Sequence, residues 1–355
     1  MKALILSGGK GTRLRPITHT SAKQLVPVAN KPILFYGIES IAECGIKDIG
    51  VIVGETHLEI KSAVGDGSKW GVKITYIHQD APLGLAHAVK ISQSFLGEEP
   101  FVMYLGDNLI KDGIQPLVKD FVSEKPDAQI LLARVPNPNQ FGVAELEPGG
   151  KRVKRLEEKP AHPRSDLALV GVYMFSAVIF EAVNAIKPSK RGELEITDAI
   201  QYLIDKGYNV KPHIIDGWWK DTGKLEDMLE ANRIILGTKK PLNLGSVDSS
   251  SRIEGVVEIA KGAEIISSHI RGPVVIGENT KIINSYIGPY TSIYYDALVE
   301  NSEIEHTIIL EKSRVRDIRR LEDSLIGQNV EITRTQKKPH AYRIMVGDSS
   351  KVEVI

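Results

Sequence analysis

Short apolar runs alternate with amphipathic stretches through the first part of the chain. Runs such as Lys2–Leu6 and Phe101–Leu105 are rich in apolar residues and predict buried strands. Between the runs, apolar residues recur at helical spacing, for example at Leu34, Ile38 and Ile41. This alternation predicts an α/β fold with a doubly wound, mostly parallel sheet covered by helices on both faces. The other predicted elements are strands at Ile49–Val53, Lys73–His78 and Val210–Ile215 and helices at His57–Val64 and Leu85–Phe95.

The pattern changes at about residue 245, where helical spacing gives way to an aliphatic residue at every sixth position. An Ile-Gly-x-x-x-x-Ile unit begins at Ile276, Ile287 and Ile326, and the same step without glycine occurs at Ile259–Ile265 and Ile309–Val315. This step fits a triangular parallel β-coil, in which one aliphatic side chain per face points inward and small residues form the corners. An antiparallel all-β domain with coincidental spacing is the alternative.

The two patterns divide the chain into an α/β domain over residues 1–240, a β-coil over 245–335 and a tail over 336–355. A length of 355 residues also suggests about two cores. The stretch Arg314–Arg320 is too charged for regular coil, so we expect a loop or a strained turn there.

Charge and cysteine content narrow the class of protein. Lys plus Arg and Asp plus Glu both number 45, so the net charge predicts neither a nucleic-acid nor a membrane partner. Cys44 is the only cysteine, which excludes an intrachain disulfide. We expect it to be a small buried apolar residue and not a catalytic thiol. The first apolar run is too short for a signal peptide, and none approaches the ~18 residues of a membrane span. These features predict a cytoplasmic protein.

A glycine-rich loop, Gly8-Gly9-Lys10-Gly11-Thr12-Arg13, follows the first predicted strand. Backbone N–H groups in such a loop can bind phosphate oxygens, and glycine permits the close approach. A dinucleotide-binding fingerprint is excluded because Leu14 stands where its third glycine belongs. A Walker loop is excluded because Gly11 follows Lys10. Arg13 and the nearby Lys23 and Gln24 favour a triphosphate, since cations stabilise a leaving pyrophosphate.

Two aspartates are candidates for a metal site. Asp107 follows the apolar run Phe101–Leu105, at the carboxyl end of a predicted strand, where open α/β sheets bind ligands. Asp221 follows Val210–Ile215 and its turn. Carboxylate oxygens are ligands that Mg²⁺ prefers. Either residue alone could instead be an ordinary turn or capping aspartate.

Two adjoining segments together resemble a known signature. Gly8-Gly-Lys-Gly-Thr-Arg-Leu-Arg-Pro16 followed by Ser21-Ala-Lys-Gln-Leu-Val-Pro-Val28 resembles that of sugar-1-phosphate nucleotidyltransferases. Lys23-Gln24 is similar to the glucose-1-phosphate thymidylyltransferase branch. Ala22 departs from it, since many relatives have proline there. The resemblance covers essentially the whole chain, because longer members carry a C-terminal left-handed parallel β-helix built from hexapeptide repeats, after a Rossmann-like domain.

The resemblance implies Mg²⁺-dependent transfer of a thymidylyl group from dTTP to glucose 1-phosphate, giving dTDP-glucose and pyrophosphate. It implies catalytic roles for Arg13, Lys23 and Lys159 and metal ligation by Asp107 and Asp221. It also implies a set of nucleotide-binding residues: Gly8, Gly9, Gly11, Thr12, Arg13, Gln24, Gln79 and Gly84. Within this set, Gln24, Gln79 and Gly84 are expected to recognise the base. The residues that it implies for the sugar phosphate are Gly142, Glu158, Lys159, Leu169, Tyr173 and Arg191. Thr197 is expected also to cap a helix over Ala199–Leu203.

Other functions stay open at this stage. A glutamine amide matches the O4 and N3–H edge that thymine and uracil share, so the choice of dTTP over UTP rests on resemblance alone. A uridylyltransferase is therefore the nearest alternative. The β-coil could also carry an acetyltransferase site, with His269 or His306 as base, in a bifunctional enzyme. We favour a coil that serves self-association, and so expect a homo-oligomer.

Overall fold

The computed structural model describes residues 1–9, 11–19, 22–111, 113–215, 217–334, 344, 346, 350 and 352. These fall into two compact units. The first contains Met1–Lys10, Ala22–Leu25 and Ile33–Asp221, and the second Gly11–Ser21, Val26–Pro32 and Thr222–Ile355. The predicted tail, 336–355, lies almost wholly outside the described residues, and the division at 240 and 245 stays a prediction. Among the described residues, no helix is long and apolar enough to cross a membrane.

The helices are assigned as follows: α1 Ile33–Glu43, α2 His57–Val64, α3 Leu85–Ile91, α4 Gln93–Leu96, α5 Gln115–Glu124, α6 Ile179–Ala185, α7 Ile196–Asp205 and α8 Leu225–Leu236. The strands up to residue 221 are β1 Lys2–Leu6, β2 Pro27–Val28, β3 Lys31–Pro32, β4 Asp48–Val53, β5 Lys73–His78, β6 Phe101–Leu105, β7 Asn108–Ile110, β8 Ala128–Arg134, β9 Gly142–Leu146, β10 Val153–Glu158, β11 Leu167–Phe175, β12 Val210–Ile214 and β13 Trp219–Asp221.

The first unit is built on a nine-stranded sheet. Its main path runs β10-β9-β11-β6-β1-β4-β5, with β8 beside β11 and β12 beside β8. Strands β6, β1, β4 and β5 are mutually parallel, as predicted, whereas β11 runs antiparallel to β6. The half of the sheet from β6 to β5 is therefore parallel, and the half beyond β11 is mixed. The carboxyl ends of the four parallel strands lie along the same edge of the sheet.

Alternation along the strands separates two cores. In β1, Leu4 belongs to the core on one face, while Ala3 and Ile5 belong to the core on the other. In β6, Met103 and Tyr104 divide in the same way. Since side chains of a strand alternate between faces, helices must cover both sides of the sheet to bury them.

One predicted helix is interrupted. The run expected over Leu85–Phe95 is split into α3 and α4 at Ser92. The Ser92 hydroxyl donates to the Ala88 carbonyl at 2.7 Å, so the side chain competes for a backbone acceptor of the helix.

The second unit contains three parallel sheets of six, six and four strands. Their strands are Leu242–Asn243, Ser246–Val247, Arg252–Glu254, Val257–Ile259, Glu264–Ile266, His269–Arg271, Val274–Ile276, Lys281–Ile283, Tyr286–Ile287, Thr291–Ile293, Leu298–Glu300, Glu303–Ile304, Ile308–Ile309, Arg314–Arg316, Leu325–Ile326 and Glu331–Thr333. All pairings described between them are parallel, which excludes the antiparallel alternative. The predicted fold class, an α/β sheet followed by a parallel β-helix, is confirmed.

The six-residue step connects neighbouring walls of this coil. In four of the five steps the first residues stack in one sheet, where Ile259 pairs with Ile276 and Ile309 with Ile326. The second residues of these four steps stack in the next sheet, as Ile282 does on Ile265. The step from Ile287 connects a different pair of walls, since Ile287 pairs with Ile270 and Ile293 with Ile276. Equivalent residues of successive turns, such as Ser268 and Ser285, are 17 positions apart. The inward aliphatic residues therefore form columns that fill the coil.

Asparagine and aspartate occupy many corners of the coil. At one corner Asn284, Asn301 and Asp317 have φ angles of 44°, 48° and 58°. Such left-handed conformations are uncommon outside glycine, and Asn and Asp tolerate them best. The side chains are hydrogen-bonded in a ladder, with Asn284 Nδ2 2.8 Å from Asn301 Oδ1 and Asn301 Nδ2 3.0 Å from Asp317 Oδ1.

The loop expected over Arg314–Arg320 is wrong at its start, because Arg314–Arg316 is a strand. Val315 is fully buried inside the coil, while the two arginines point outward. Arg316 Nε lies 3.3 Å from a carboxylate oxygen of Glu300 on the preceding turn. High charge is compatible with the strand because only every second side chain is buried.

A buried amide joins helix, loop and coil within the second unit. Asn232 of α8 is fully buried. Its Oδ1 accepts hydrogen bonds from Ala29 N at 2.8 Å and Ser292 Oγ at 2.6 Å, and its Nδ2 donates to Tyr290 O at 3.0 Å. Asn30 Nδ2 adds a bond of 2.7 Å to the carbonyl of Ile293. Residues 26–32 are thus fixed to the coil by polar contacts.

Candidate active site

Lys23 lies between two carboxylates. Its Nζ atom is 2.5 Å from Asp107 Oδ2 and 3.6 Å from Asp221 Oδ1. Only 11% of the Lys23 side chain is exposed. Burial alone would lower the pKa of Lys23, but the two carboxylates outweigh burial and the pKa is raised. Three side chains predicted for the site therefore meet at one point.

These three side chains come from separate segments. Lys23 opens a short 3₁₀ turn, Lys23–Leu25. Asp107 follows β6, at the carboxyl edge of the parallel strands. Asp221 ends β13, which pairs with β7 so that Asp221 stands opposite Asn108. The pairing of two short strands brings the second aspartate to the first.

Asn108 connects both aspartates to the fold. Its Oδ1 accepts hydrogen bonds from Trp219 Nε1 at 2.5 Å and Gly171 N at 3.2 Å, and its Nδ2 donates to Asp107 Oδ1 at 2.9 Å. A Cβ atom at Gly171 would lie 2.6 Å from Asn108 Oδ1, so this approach requires glycine. Sequence reasoning missed Asn108, Gly171 and Trp219. The only local signal was that Asn108 adjoins Asp107.

Two glutamines flank the start of the glycine-rich loop. A Cβ atom at Gly9 would lie 3.6 Å from Gln24 Nε2, and one at Gly8 would lie 3.5 Å from Gln79 Oε1. Gln24 is 3% exposed, and its Oε1 has no hydrogen-bond partner among the described residues. A buried acceptor without a partner is costly, which suits a site that a ligand donor fills. Gln79 Nε2 lies 3.4 Å from the carbonyl of Gly84.

The Glu158 carboxylate contacts two cationic side chains and a hydroxyl group. Its Oε1 lies 3.5 Å from Lys159 Nζ and 3.8 Å from a guanidinium nitrogen of Arg191, and its Oε2 accepts from Thr197 Oγ1 at 3.2 Å. Lys159 has a φ of 43°, a left-handed conformation that is uncommon for lysine and found often at functional sites. Its backbone N–H donates to Phe141 O at 3.0 Å, which helps to hold this conformation.

Gly142 lies beside Glu158 in a tightly packed spot. A Cβ atom at Gly142 would lie 2.7 Å from Leu169 Cδ1, 2.6 Å from Thr197 Cγ2 and 3.3 Å from Glu158 Oε2. The structure thus brings together Gly142, Glu158, Lys159, Leu169 and Arg191 of the predicted sugar-phosphate set. Tyr173 lies in the same hydrophobic core as Leu169, is 3% exposed and stacks on the ring of Phe175, and its assignment to the sugar phosphate stays a prediction.

The expected capping role of Thr197 is wrong. Helix α7 begins at Ile196, so Thr197 lies inside the first turn, and the residue before the helix, Glu195, makes no side-chain capping bond. The Thr197 hydroxyl binds the distant Glu158 instead.

The carboxyl group of Glu195 lies close to the cation Arg191. Burial raises the pKa of Glu195, although Arg191 Nε lies 3.3 Å from its Oε1.

Gly11, Thr12 and Arg13 belong to the second compact unit. Gly11 has a φ of 62° and precedes a 3₁₀ turn, Thr12–Leu14. The carbonyl of Gly11 accepts a hydrogen bond from Thr18 Oγ1 at 2.6 Å. Arg13 is exposed. Lys10 lies outside the described residues.

The donor set at Lys23 suits a hard divalent cation. In the described part of the chain, no three His, Cys, Asp or Glu side chains converge closely enough to hold a metal by themselves. Asp107 and Asp221 form a pair that already faces one positive charge, the Lys23 ammonium. Mg²⁺ is commonly held by one or two carboxylates together with substrate phosphates. Two carboxylates at one point fit that requirement.

Comparison with known proteins assigns the chain to a family. The family model described as nucleotidyl transferase matches residues 2–237. The chain belongs to the nucleotidyl transferase family. It is 56% identical over 354 residues to the glucose-1-phosphate thymidylyltransferase of Streptomyces griseus, covering 100% of this chain and 99% of that relative.

Two solved structures each match about two thirds of the chain. A crystal structure of a candidate glucose-1-phosphate thymidylyltransferase from Bacillus anthracis, in complex with a sucrose, matches with a TM-score of 0.62 and 37% identity. It covers 66% of this chain and 94% of the other. A UDP-glucose pyrophosphorylase complexed with UDP-glucose matches with a TM-score of 0.60 and 25% identity, covering 67% of this chain and 99% of the other. All site residues predicted for this nucleotidyl transferase lie within the matched range 2–237.

Proposed function

We propose that this nucleotidyl transferase transfers a thymidylyl group from dTTP to glucose 1-phosphate, giving dTDP-glucose and pyrophosphate. The observation that supports it best is the position of Lys23 Nζ, 2.5 Å from Asp107 and 3.6 Å from Asp221, after the parallel strands of the sheet. The activity named for the Streptomyces griseus relative, which matches along the full chain, agrees with this assignment.

The reaction needs no nucleophile from the protein. A phosphate oxygen of glucose 1-phosphate is already anionic and attacks the α-phosphorus of dTTP in line, while pyrophosphate leaves. Catalysis is then mainly positioning of the two substrates and neutralisation of their phosphate charges. The buried contact of Lys23 with Asp107 supports this reading, since it places a cation and a carboxylate together at the site.

Asp107 and Asp221 would hold Mg²⁺, and the bound ion would offset negative charge on the reacting phosphates. The two carboxylates raise the pKa of Lys23 above its ordinary value despite burial, so Lys23 supplies a positive charge at neutral pH. Asn108 keeps Asp107 oriented through its 2.9 Å hydrogen bond.

The other predicted cations divide between the two substrates. We assign Arg13 and Lys23 to the triphosphate and Lys159 and Arg191 to the phosphate of glucose 1-phosphate. Glu158 lies within 4 Å of both Lys159 and Arg191. It holds these two cations near the sugar phosphate and can accept a hydrogen bond from a sugar hydroxyl.

Glycines and amides would shape the nucleotide side. Gly8, Gly9, Gly11 and Thr12 offer backbone N–H groups to the phosphates. Gln24 and Gln79 read the base by hydrogen bonds, and Gly84 permits its close approach. Thymine and uracil present the same hydrogen-bonding edge, and one structural neighbour is a UDP-glucose pyrophosphorylase, so uridylyl transfer from UTP is the second candidate.

We further propose that catalysis belongs to residues 1–240 and that the coil over 245–335 serves self-association in a cytoplasmic homo-oligomer. Flat columns of stacked coil turns offer repeated surfaces for a second copy. Size-exclusion chromatography with light scattering of the full chain tests this part, and a monomer at all concentrations would contradict it.

The test of the activity is pyrophosphate release with each nucleotide in turn. The purified chain is assayed with dTTP, UTP, ATP, CTP and GTP against several hexose 1-phosphates, with Mg²⁺ and with a chelator. We expect the highest kcat/KM with dTTP and glucose 1-phosphate, a lower value with UTP and none with chelator. A preference for UTP would favour the second candidate, and a preference for a purine nucleotide would overturn the proposed base site.

A further inference from the structure

The amide of Gln79 is held in one orientation by two acceptors. Gln79 follows β5, and its Nε2 atom lies 3.0 Å from His87 Nδ1 and 3.4 Å from the carbonyl of Gly84. An amide nitrogen carries two hydrogens and can only donate. Both hydrogens are thus directed at protein acceptors, which requires that His87 Nδ1 carries no proton. The Gln79 Oε1 atom is left to face Gly8 at the start of the glycine-rich loop.

The opposite orientation of the amide is disfavoured. It would place Gln79 Oε1 against the Gly84 carbonyl, and it would need the His87 ring to carry a proton on Nδ1. The Gly84 carbonyl is held in place because it also accepts a hydrogen bond from Ala88 N at 3.3 Å. His87 lies in α3, whose Ala86 N–H donates to Leu194 O at 3.0 Å. Both acceptors are therefore fixed.

An oxygen in this position selects one kind of base edge. Thymine and uracil carry a hydrogen on N3, which can donate to Gln79 Oε1. Cytosine has a lone pair on N3, which would face the same oxygen and repel it. A binding site discriminates between ligands when the wrong one leaves a polar group of the site unpaired or faces it with a like partner.

We propose that His87 is a positioning residue for base specificity, which keeps the Gln79 oxygen toward the base and so favours imide pyrimidines over cytosine. This rests on the proposed function, because it assumes that the base of the nucleotide binds at Gln79. His87 acts through Gln79 and touches no reacting atom.

The electrostatic surroundings keep His87 in the required form at neutral pH. Burial and the nearby Lys90 lower the pKa of His87, and Asp80 only partly opposes them. Lys90 and Asp80 are the charged groups that act on the His87 ring among the described residues. At acidic pH the ring gains a proton on Nδ1, which then points a donor at the Gln79 nitrogen and favours a turned amide. Base specificity should therefore weaken as the pH falls.

The experiment compares kcat/KM for dTTP and dCTP, with glucose 1-phosphate as acceptor, in the wild type, His87→Leu and His87→Asn. Leucine removes the acceptor, and the ratio of dTTP to dCTP should fall about tenfold, the value of about one hydrogen bond. Asparagine can place an oxygen where Nδ1 lies and should restore the ratio. A merely structural role would change both substrates alike and would leave the ratio unchanged.

The pH series supplies an independent arm. Between about pH 8 and pH 5.5 the dTTP to dCTP ratio of the wild type should fall, whereas that of His87→Asn should stay constant, because asparagine does not titrate. Taking the ratio removes pH effects common to both nucleotides. If His87→Leu does not fold, the pH series of the wild type and His87→Asn alone tests the role of His87.

The failures of the two proposals can be told apart. If the wild type prefers dTTP but neither His87→Leu nor low pH changes the ratio, the role of His87 is overturned while the thymidylyltransferase stands. If the wild type turns over neither dTTP nor UTP, the proposed function is overturned, and the role of His87 with it.

Discussion

Trp219 Nε1 donates a hydrogen bond of 2.5 Å to Asn108 Oδ1, across 111 positions of the chain. This bond connects the two short strands β13 and β7, whose backbone pairing sets Asp221 opposite the neighbour of Asp107. The geometry of the two carboxylates thus depends on an amide that is not itself a candidate metal ligand. Partners of metal ligands often matter almost as much as the ligands.

Asn108→Asp should therefore impair the enzyme while preserving its shape. The new carboxylate cannot donate to Asp107 and adds a negative charge beside it. We expect kcat/KM to fall about 10- to 100-fold, with a changed dependence on Mg²⁺ concentration. Pyrophosphate release at graded Mg²⁺ measures both. Trp219→Phe keeps the Asn108–Asp107 bond and should lose less, and equal losses in the two variants would contradict this account.

Asp107→Asn should abolish most Mg²⁺-dependent turnover. Removing one charge from the site where phosphate charge develops should lower kcat by roughly 10²–10³. Steady-state kinetics of pyrophosphate release provide the measurement. Asp166→Asn is the matched control, because Asp166 is half exposed and pairs with Arg134 at the surface. Near-wild-type activity of Asp107→Asn would refute the metal assignment.

Asn232→Leu should destabilise the second unit. Leucine leaves the buried N–H of Ala29 and the carbonyl of Tyr290 without their partner, at a cost of about 2–4 kcal/mol in the free energy of unfolding. Urea unfolding or a melting curve measures the loss. Asn184→Leu, at an exposed helix position, should change stability by less than about 0.5 kcal/mol. Similar losses in both variants would count against a special role of Asn232.

Cys44 should react slowly with thiol reagents. Burial, with a contribution from Glu43, raises the pKa of Cys44 to about 11, so very little thiolate is present at pH 8. Since the raised pKa favours the thiol, reactivity should increase as the pH approaches 11. We expect a rate with a chromogenic disulfide at least about tenfold below that of free cysteine at pH 8. Cys44 is half-buried rather than buried as expected, and a rate equal to that of free cysteine would contradict even this partial burial.

The sequence allowed some of these features to be predicted and not others. Asp107 was found because it ends a recognisable apolar strand, and the coil because its repeat is strictly local. The antiparallel direction of β11 depends on pairing across the sheet, which no local pattern encodes. Thr197 was expected to cap a helix because threonine commonly does so, yet its hydroxyl binds Glu158, 39 positions earlier. His87 gave no signal, since its partner is a side chain on the preceding loop.

The contacts of residues 26–32 also have a consequence for the order of events during synthesis. Ala29 is 203 positions from Asn232, and Asn30 is 263 positions from Ile293. The segment next to Lys23 leaves the ribosome early, but its polar partners are made only after most of the chain has been translated. Contacts of such separation form late and slow folding. The sheet can therefore begin to form during synthesis while residues 26–32 still lack these hydrogen bonds. The bonds form only after Asn232 and the coil around Ile293 have been synthesised.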